Sequence, residues 1–433
     1  MRRSGRCLLA LAASVAMAAP AAAAGAALGW ARARAIDGAP AGAPSPASFD
    51  LVSVACSSPN SCVAVGSYIA TLPSHEEAGS GGSTLPVIVA ESRQKWLEPR
   101  GVALPSNALR GRGQTAALEA VACPAAGSCV AIGSYVDSAG ASQEMVLNQS
   151  RGAWTDAREL MLSPASAGVA LTSLACRTAS SCVAVGSSQE SPQSAGGSSS
   201  SHPVVVSETD GSWGPSLQIA LPAGAHGAQN ATLSSVACPV SGSCTAVGYY
   251  EREAVGFNPP TYRAIVAGES AGVWGAASTI ALAPVSGASG EQLRSVACPA
   301  PGACVAVGSY EDRYGDDRPI ALGQSGGVWG AASPMVRPAN AGGGASTSLE
   351  ALACPTHGSC VAVGQYDTRS GAVAPMAVGR SGLHWGRAVE IKSPSGAGSG
   401  PGLLEHLLSV ACPGSRSCLA VGGEIAASTL APG

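Results

Sequence analysis

Leu293-Arg-Ser-Val-Ala-Cys298-Pro-Ala-Pro-Gly-Ala-Cys304-Val-Ala-Val-Gly308 is the stretch that decides the architecture. Val and Ala flank a Pro/Gly turn, which is the signature of a β-hairpin. The pattern returns with the same spacing along the whole chain. Copies open at Leu51, Leu118, Leu171, Leu233, Leu293, Leu349 and Leu407. Each carries two cysteines with five residues between them: Cys56/Cys62, Cys123/Cys129, Cys176/Cys182, Cys238/Cys244, Cys298/Cys304, Cys354/Cys360 and Cys412/Cys418. Only Cys7 of the 15 cysteines lies outside these pairs. Cysteines that face each other across a hairpin meet disulfide geometry, because non-hydrogen-bonded antiparallel pairs bring Cα atoms to about 4.5 Å. Closing so short a loop stabilises by roughly 2 kcal/mol per bridge on the chain-entropy model. Zinc fits less well, since its sites favour tighter spacing and four convergent ligands.

Two further strands follow each of the first six hairpins. The third is a short apolar run such as Pro203-Val-Val-Val206 or Pro319-Ile-Ala-Leu322. The fourth opens at Trp96, Trp154, Trp213, Trp274, Trp329 or Trp385 and ends at a proline nine or ten residues on. A seventh tryptophan, Trp30, precedes the first hairpin, and Pro40 follows it by the same distance that separates Trp274 from Pro284. The last hairpin has no tryptophan after it. The N-terminus therefore carries an orphan fourth strand, over 28–38, and the last repeat lacks one. Joining the two closes a ring and removes exposed sheet edges. Small residues on both faces of the hairpin strands suit blades crowded around an axis. The expectation is an all-β, seven-bladed β-propeller over 25–433, with four-stranded blades, one hairpin disulfide in each, and the N-terminal strand completing the last. Only 15 residues follow Cys418, too few for an ordinary third strand there.

The Trp-containing turns, such as Thr209-Asp210-Gly211-Ser212-Trp213, resemble those of Asp-box, sialidase-like and photosystem-assembly-factor propellers. Only that copy has an aspartate beside its glycine. The hairpin Cys304-Val-Ala-Val-Gly308 is similar to that of exported Cys-x5-Cys-Val-Ala-Val-Gly repeat proteins of GC-rich bacteria. The resemblance implies a fold and no particular activity.

Residues 1–24 read as an export signal: basic Arg2, Arg3 and Arg6, an apolar run from Leu8 to Ala19, and a small-residue cleavage site at Ala22-Ala23-Ala24. Export, by the general or the twin-arginine route, places the cysteines where disulfides persist. No membrane span is expected after cleavage. Charged residues make up only 12% of the chain and the net charge is −3, which gives no basic surface for nucleic acid.

Motifs for chemistry are sparse. Gly268-Glu-Ser-Ala-Gly272 and Gly323-Gln-Ser-Gly-Gly327 match a nucleophile elbow, but both sit at one repeat position and no helix follows. The histidines lack metal-ligand spacing. The charged run Glu311-Asp-Arg-Tyr-Gly-Asp-Asp-Arg318 offers oxygen ligands for a structural calcium, although its spacing is not that of an EF-hand. No other cofactor and no catalytic set is indicated. Length variation points to one face. The turn between cysteines is constant, whereas the second connection ranges from 10 residues between Gly308 and Pro319 to 19 between Gly66 and Pro86. Variable loops are where ligands are usually met. The candidate ligand face holds His75, Glu76, Glu77, Glu251, Arg252, Tyr314, Asp316, Asp317 and Arg318. The reading is a secreted or cell-surface monomer that binds a glycan, cell-wall component or protein. The alternative is a glycoside hydrolase or lyase on a sialidase-like propeller. Three or more charged residues converging at the ring centre, in an Asp/Glu/Arg/Tyr set, distinguish the enzyme.

Overall fold

A computed structural model describes residues 7–11, 30–36, 38, 40 and 48–426, apart from 71–82, 94, 112, 163–167, 191–199, 226–228, 253–260, 281–288, 345, 357, 395–402 and 415–416. The protein is all-β, and each repeat folds as a meander. In the fifth, Ser289–Ala300 pairs with Ala303–Glu311, which pairs with Asp317–Ser325. The expected fourth strand is two short pieces, Val328–Trp329 and Ser333–Pro334, both against the third strand. The tight turn after the third strand holds the tryptophan, and the chain then leaves the ladder before touching it again. Among the described residues no helix is long and apolar enough to cross a membrane.

All seven cysteine pairs are disulfides: Cys56–Cys62, Cys123–Cys129, Cys176–Cys182, Cys238–Cys244, Cys298–Cys304, Cys354–Cys360 and Cys412–Cys418, each with Cα atoms 4.0–4.2 Å apart. Seven disulfides in one chain are a mark of oxidising compartments. The second cysteine of every pair, Cys62, Cys129, Cys182, Cys244, Cys304, Cys360 and Cys418, is buried in the core. The reason is packing. Cys62 sits in one apolar cluster with Trp96, Cys129 with Trp154, Cys182 with Trp213 and Cys244 with Trp274, so each bridge packs in the same cluster as its own repeat's tryptophan. The sulfurs act as apolar filler as well as cross-links.

Hydrogen bonding groups the strands into six sheets, so the propeller has six blades and not the seven expected from the repeats. Five blades hold one repeat each. The sixth is nine-stranded and holds the repeats of both Leu349 and Leu407. One contact joins them: Leu404, on strand Leu403–Gly414, forms a parallel bridge to Val373 at the head of the preceding repeat's third strand.

The N-terminus enters this last sheet. Arg34–Ile36 pairs with Cys7–Leu11, which pairs with Ser417–Ala426. Leu8 stands opposite Gly422 and Ala35, as Val87 in the first repeat stands opposite Gly66 and Gly101. Cys7–Leu11 thus holds the register of a third strand, with Arg34–Ile36 outside it. Part of the run read as an export signal lies here. Trp30 packs in the cluster of Cys412 and Cys418, as Trp385 packs in that of Cys354 and Cys360.

Two devices give the ring its centre. The first is a bulge in every first strand. Leu293 pairs with Gly308 and Ser295 with Val307, which leaves Arg294 as the unpaired extra residue. A β-bulge of this kind re-aims a side chain and tightens the twist. It also explains the glycine that closes each hairpin. A Cβ on Gly308 would stand 2.0 Å from the Gln292 carbonyl oxygen, and the other six copies are as tight, at 1.9–2.1 Å. The second device is a chain of hydrogen bonds between neighbouring repeats. The Ser295 hydroxyl accepts from the Leu352 backbone N–H at 3.0 Å, and Ser53, Ser173 and Ser235 do the same for Val121, Val236 and Val296. Ser409 accepts from Val54 at 3.0 Å, which joins the last repeat to the first and closes the ring. The core lies between blades: Val305 and Val307 of one repeat pack with Leu349, Leu352, Tyr366 and Met376 of the next.

Candidate functional site

The bulge residues are a position in the paired strands where the hairpins differ widely in chemistry: Val52, Glu119, Thr172, Ser234, Arg294, Glu350 and Leu408. A depression of about 490 Å3 opens at this level, with Thr172, Ser234, Arg294 and Glu350 in its wall. Two tyrosines complete it. Tyr249 and Tyr262 meet edge to face, with ring centroids 5.3 Å apart, and the Arg294 guanidinium stands 5.5 Å from the Tyr249 centroid. Tyr249 lies on the second strand of the fourth repeat and Tyr262 on the third, facing each other across the blade edge near the variable connection.

Arg294 and Glu350 are the charged residues of the lining, and further carboxylates stand behind it. Asn230 donates to the Glu251 carboxylate, and the Ser289 hydroxyl donates to Glu311 at 3.2 Å. Burial raises the Asp317 pKa above the ordinary aspartate value, and the nearby Glu311 charge adds to this, while Arg294 and a hydrogen bond from Ser309 pull it back. Burial also raises the Tyr262 pKa, helped by Glu251 and Glu311. A second acidic group lies on another sector of the ring. The Glu119 pKa is raised by burial and then by Asp50, whose carboxylate lies 3.6 Å from His406 Nε2. Glu144 behind it is raised well above the usual carboxylate range, chiefly by burial.

Of the residues expected on the ligand face, Glu251 meets the depression through Asn230, and Asp317 stands within electrostatic reach of Arg294 and Glu350; neither lines it. Asp316 and Arg318 belong instead to a clasp within their own loop. Arg318 pairs with Asp312 at 2.6 Å and Asp316 at 2.9 Å, and Asp312 also accepts from the backbone N–H groups of Tyr314 and Asp316. The oxygens considered for calcium are thus engaged by a guanidinium and the loop backbone. Tyr314 is exposed at the loop tip under Arg313, and Arg252 is exposed at a strand end. His75, Glu76 and Glu77 lie outside the described residues. Sequence reasoning missed Tyr249, Tyr262, Arg294 and Glu350. The signal for the last two was the x of Leu-x-Ser, the variable letter inside a constant motif.

The chain is similar in structure to several carbohydrate-active enzymes. One is an ulvan lyase of a polysaccharide lyase family, at TM-score 0.45 and 11% identity, covering 86% of this chain and 94% of that one. Another is an α-L-arabinanase of Penicillium chrysogenum, at TM-score 0.37 and 11% identity, covering 69% and 90%. A Hadza microbial sialidase matches at TM-score 0.39 and 10% identity, covering 87% and 65%. No protein-family model and no curated protein sequence matches. At such low identity, the chemistry has to be read from the depression itself. Its arrangement offers a guanidinium and tyrosine hydroxyls as hydrogen-bond donors, an aromatic surface, and a carboxylate beside them.

Proposed function

We propose that the axial depression is a carbohydrate site and that the protein is an exported, monomeric glycoside hydrolase or lyase. The observation that carries this reading is the convergence of Arg294, Glu350, Tyr249 and Tyr262 in one depression, with Asp317 in electrostatic reach of Arg294 and Glu350. Sequence reasoning had favoured a binding scaffold, and a charged Asp/Glu/Arg/Tyr centre is the feature that distinguishes the enzyme. Asp317 is the proton donor in this reading, because burial keeps its proton on to a higher pH than an ordinary aspartate. Glu350, which projects from a bulge, is the second carboxylate. Arg294 and Tyr249 hold the sugar hydroxyls, and Tyr262 offers a ring face.

The test is reducing-end and unsaturated-product assays on a panel of soluble polysaccharides, with Asp317→Asn and Glu350→Gln beside the wild type. Each substitution is expected to lower turnover by about 10²-fold or more, the usual worth of a positioned proton-transfer group. A wild type that binds a polysaccharide but never cleaves it returns the protein to the scaffold reading. Full activity in both variants places the chemistry elsewhere.

A further inference from the structure

We propose that the glycan taken by the axial depression carries free amino groups: a neutral-to-cationic hexosamine polymer, not a uronate or a sulfated chain. The inference rests on the carbohydrate reading above and goes further by naming the substrate class. It starts from charge. Glu350 lines the depression beside the single guanidinium of Arg294, Glu251 accepts from the lining residue Asn230, and Glu311 stands within electrostatic reach of Tyr262. The other arginines of this sector are committed elsewhere. Arg263 pairs with Glu291 at 3.1 Å, and Arg318 with Asp312 and Asp316. Arg252 follows Glu251 along a strand, so it projects to the opposite side. The remainder of the ring adds Asp50 and Glu119, with His406 Nε2 3.6 Å from the Asp50 carboxylate.

A polyanion entering here meets like charge on most sides, and an ammonium group meets attraction. The rest of the lining suits a sugar that is otherwise neutral. Ser187, Ser201, Asn230 and Thr232 supply hydroxyl and amide partners. Aromatic faces attract cations as well as sugar rings, and the Tyr249 ring already has one cation near it.

The experiment is a titration of the full chain, followed by tryptophan fluorescence and calorimetry at mildly acidic pH. Three probes are compared: the hexamer of glucosamine, the hexamer of N-acetylglucosamine and hexagalacturonate. The glucosamine hexamer is expected to bind about tenfold tighter than its N-acetylated twin, a difference that shrinks as salt screens the carboxylates. Glu311→Gln is expected to reduce that preference several-fold. Equal binding of the two hexosamine probes, or tighter binding of hexagalacturonate, overturns the proposed class while leaving a carbohydrate site in place. No binding of any probe refutes the carbohydrate reading and this inference together.

Discussion

Gly308→Ala is the sharpest perturbation the structure offers. The added methyl would stand 2.0 Å from the Gln292 carbonyl oxygen and 2.9 Å from the Leu293 Cα. Both contacts are backbone, so no side-chain rotamer relieves them. Ordinary contact requires a movement of more than an ångström. That movement either flattens the bulge at Arg294 or parts the two strands beside Gly308. Parting them weakens two or three ladder hydrogen bonds at about 1 kcal/mol each and leaves buried groups short of partners. The expected loss is about 3–5 kcal/mol, in the range that marks a named steric cause. Gly268→Ala is the matched control, because a Cβ there meets nothing within 4 Å and the backbone is ordinary. It is expected to cost under about 1 kcal/mol. Urea midpoints of the two oxidised proteins, read by fluorescence and circular dichroism, give the comparison. If Gly308→Ala unfolds within about 0.5 kcal/mol of Gly268→Ala, the bulge does not demand glycine and the account of the axial side chains fails with it.

Ala351→Ser restores the hydroxyl that five of the seven repeats carry toward the next repeat. It should raise stability by about 0.5–1.5 kcal/mol, and no gain in urea midpoint would mean the serine chain does not hold the ring. Glu144 is raised by burial, so its protonated form favours the folded state; that contribution is complete below the ordinary glutamate value and is lost as pH rises through the raised one. Glu144→Gln should therefore flatten the fall in stability from acid toward neutral pH, and parallel pH profiles for variant and wild type would refute this. Ala271 holds φ of +51° in the turn before Trp274, so Ala271→Gly should stabilise by about 1 kcal/mol, which thermal unfolding can read.

Most of the scaffold was legible because its instructions are local. A hairpin writes its strands, turn and disulfide within sixteen consecutive residues, and Cys298 to Cys304 reads the same alone as in the ring. The packing of Cys62, Cys129, Cys182 and Cys244 in one cluster with a tryptophan was less legible, because that tryptophan stands some thirty residues further along each repeat. The blade count was not local either. It turns on a single bridge between Leu404 and Val373, residues of different repeats some thirty positions apart in the chain. The fourth strand was overdrawn for a related reason. The run Gln218-Ile-Ala-Leu221 has strand composition, but only Leu217–Gln218 stays in the ladder. At the candidate site, the variable-loop argument named Glu251 and Asp317, which stand near the depression without lining it. It also named Asp316 and Arg318, which pair with each other inside the loop of residues 311–318. Arg294 and Glu350 escaped notice because each stands among residues that the repeat already explained.

The bulges have one more consequence. Each repeat exposes a single side chain at the ring centre, next to a glycine that cannot vary and, in five copies, a serine tied to the neighbouring repeat. Scaffold and specificity are therefore written in separate letters. Val52, Glu119, Thr172, Ser234, Arg294, Glu350 and Leu408 form a seven-place code, read from seven bulges of one design. A duplicated hairpin arrives with its place blank, ready for a new letter. A ring of this kind can drift from one ligand to another by single substitutions, keeping every disulfide and every hydrogen-bonded ladder on the way.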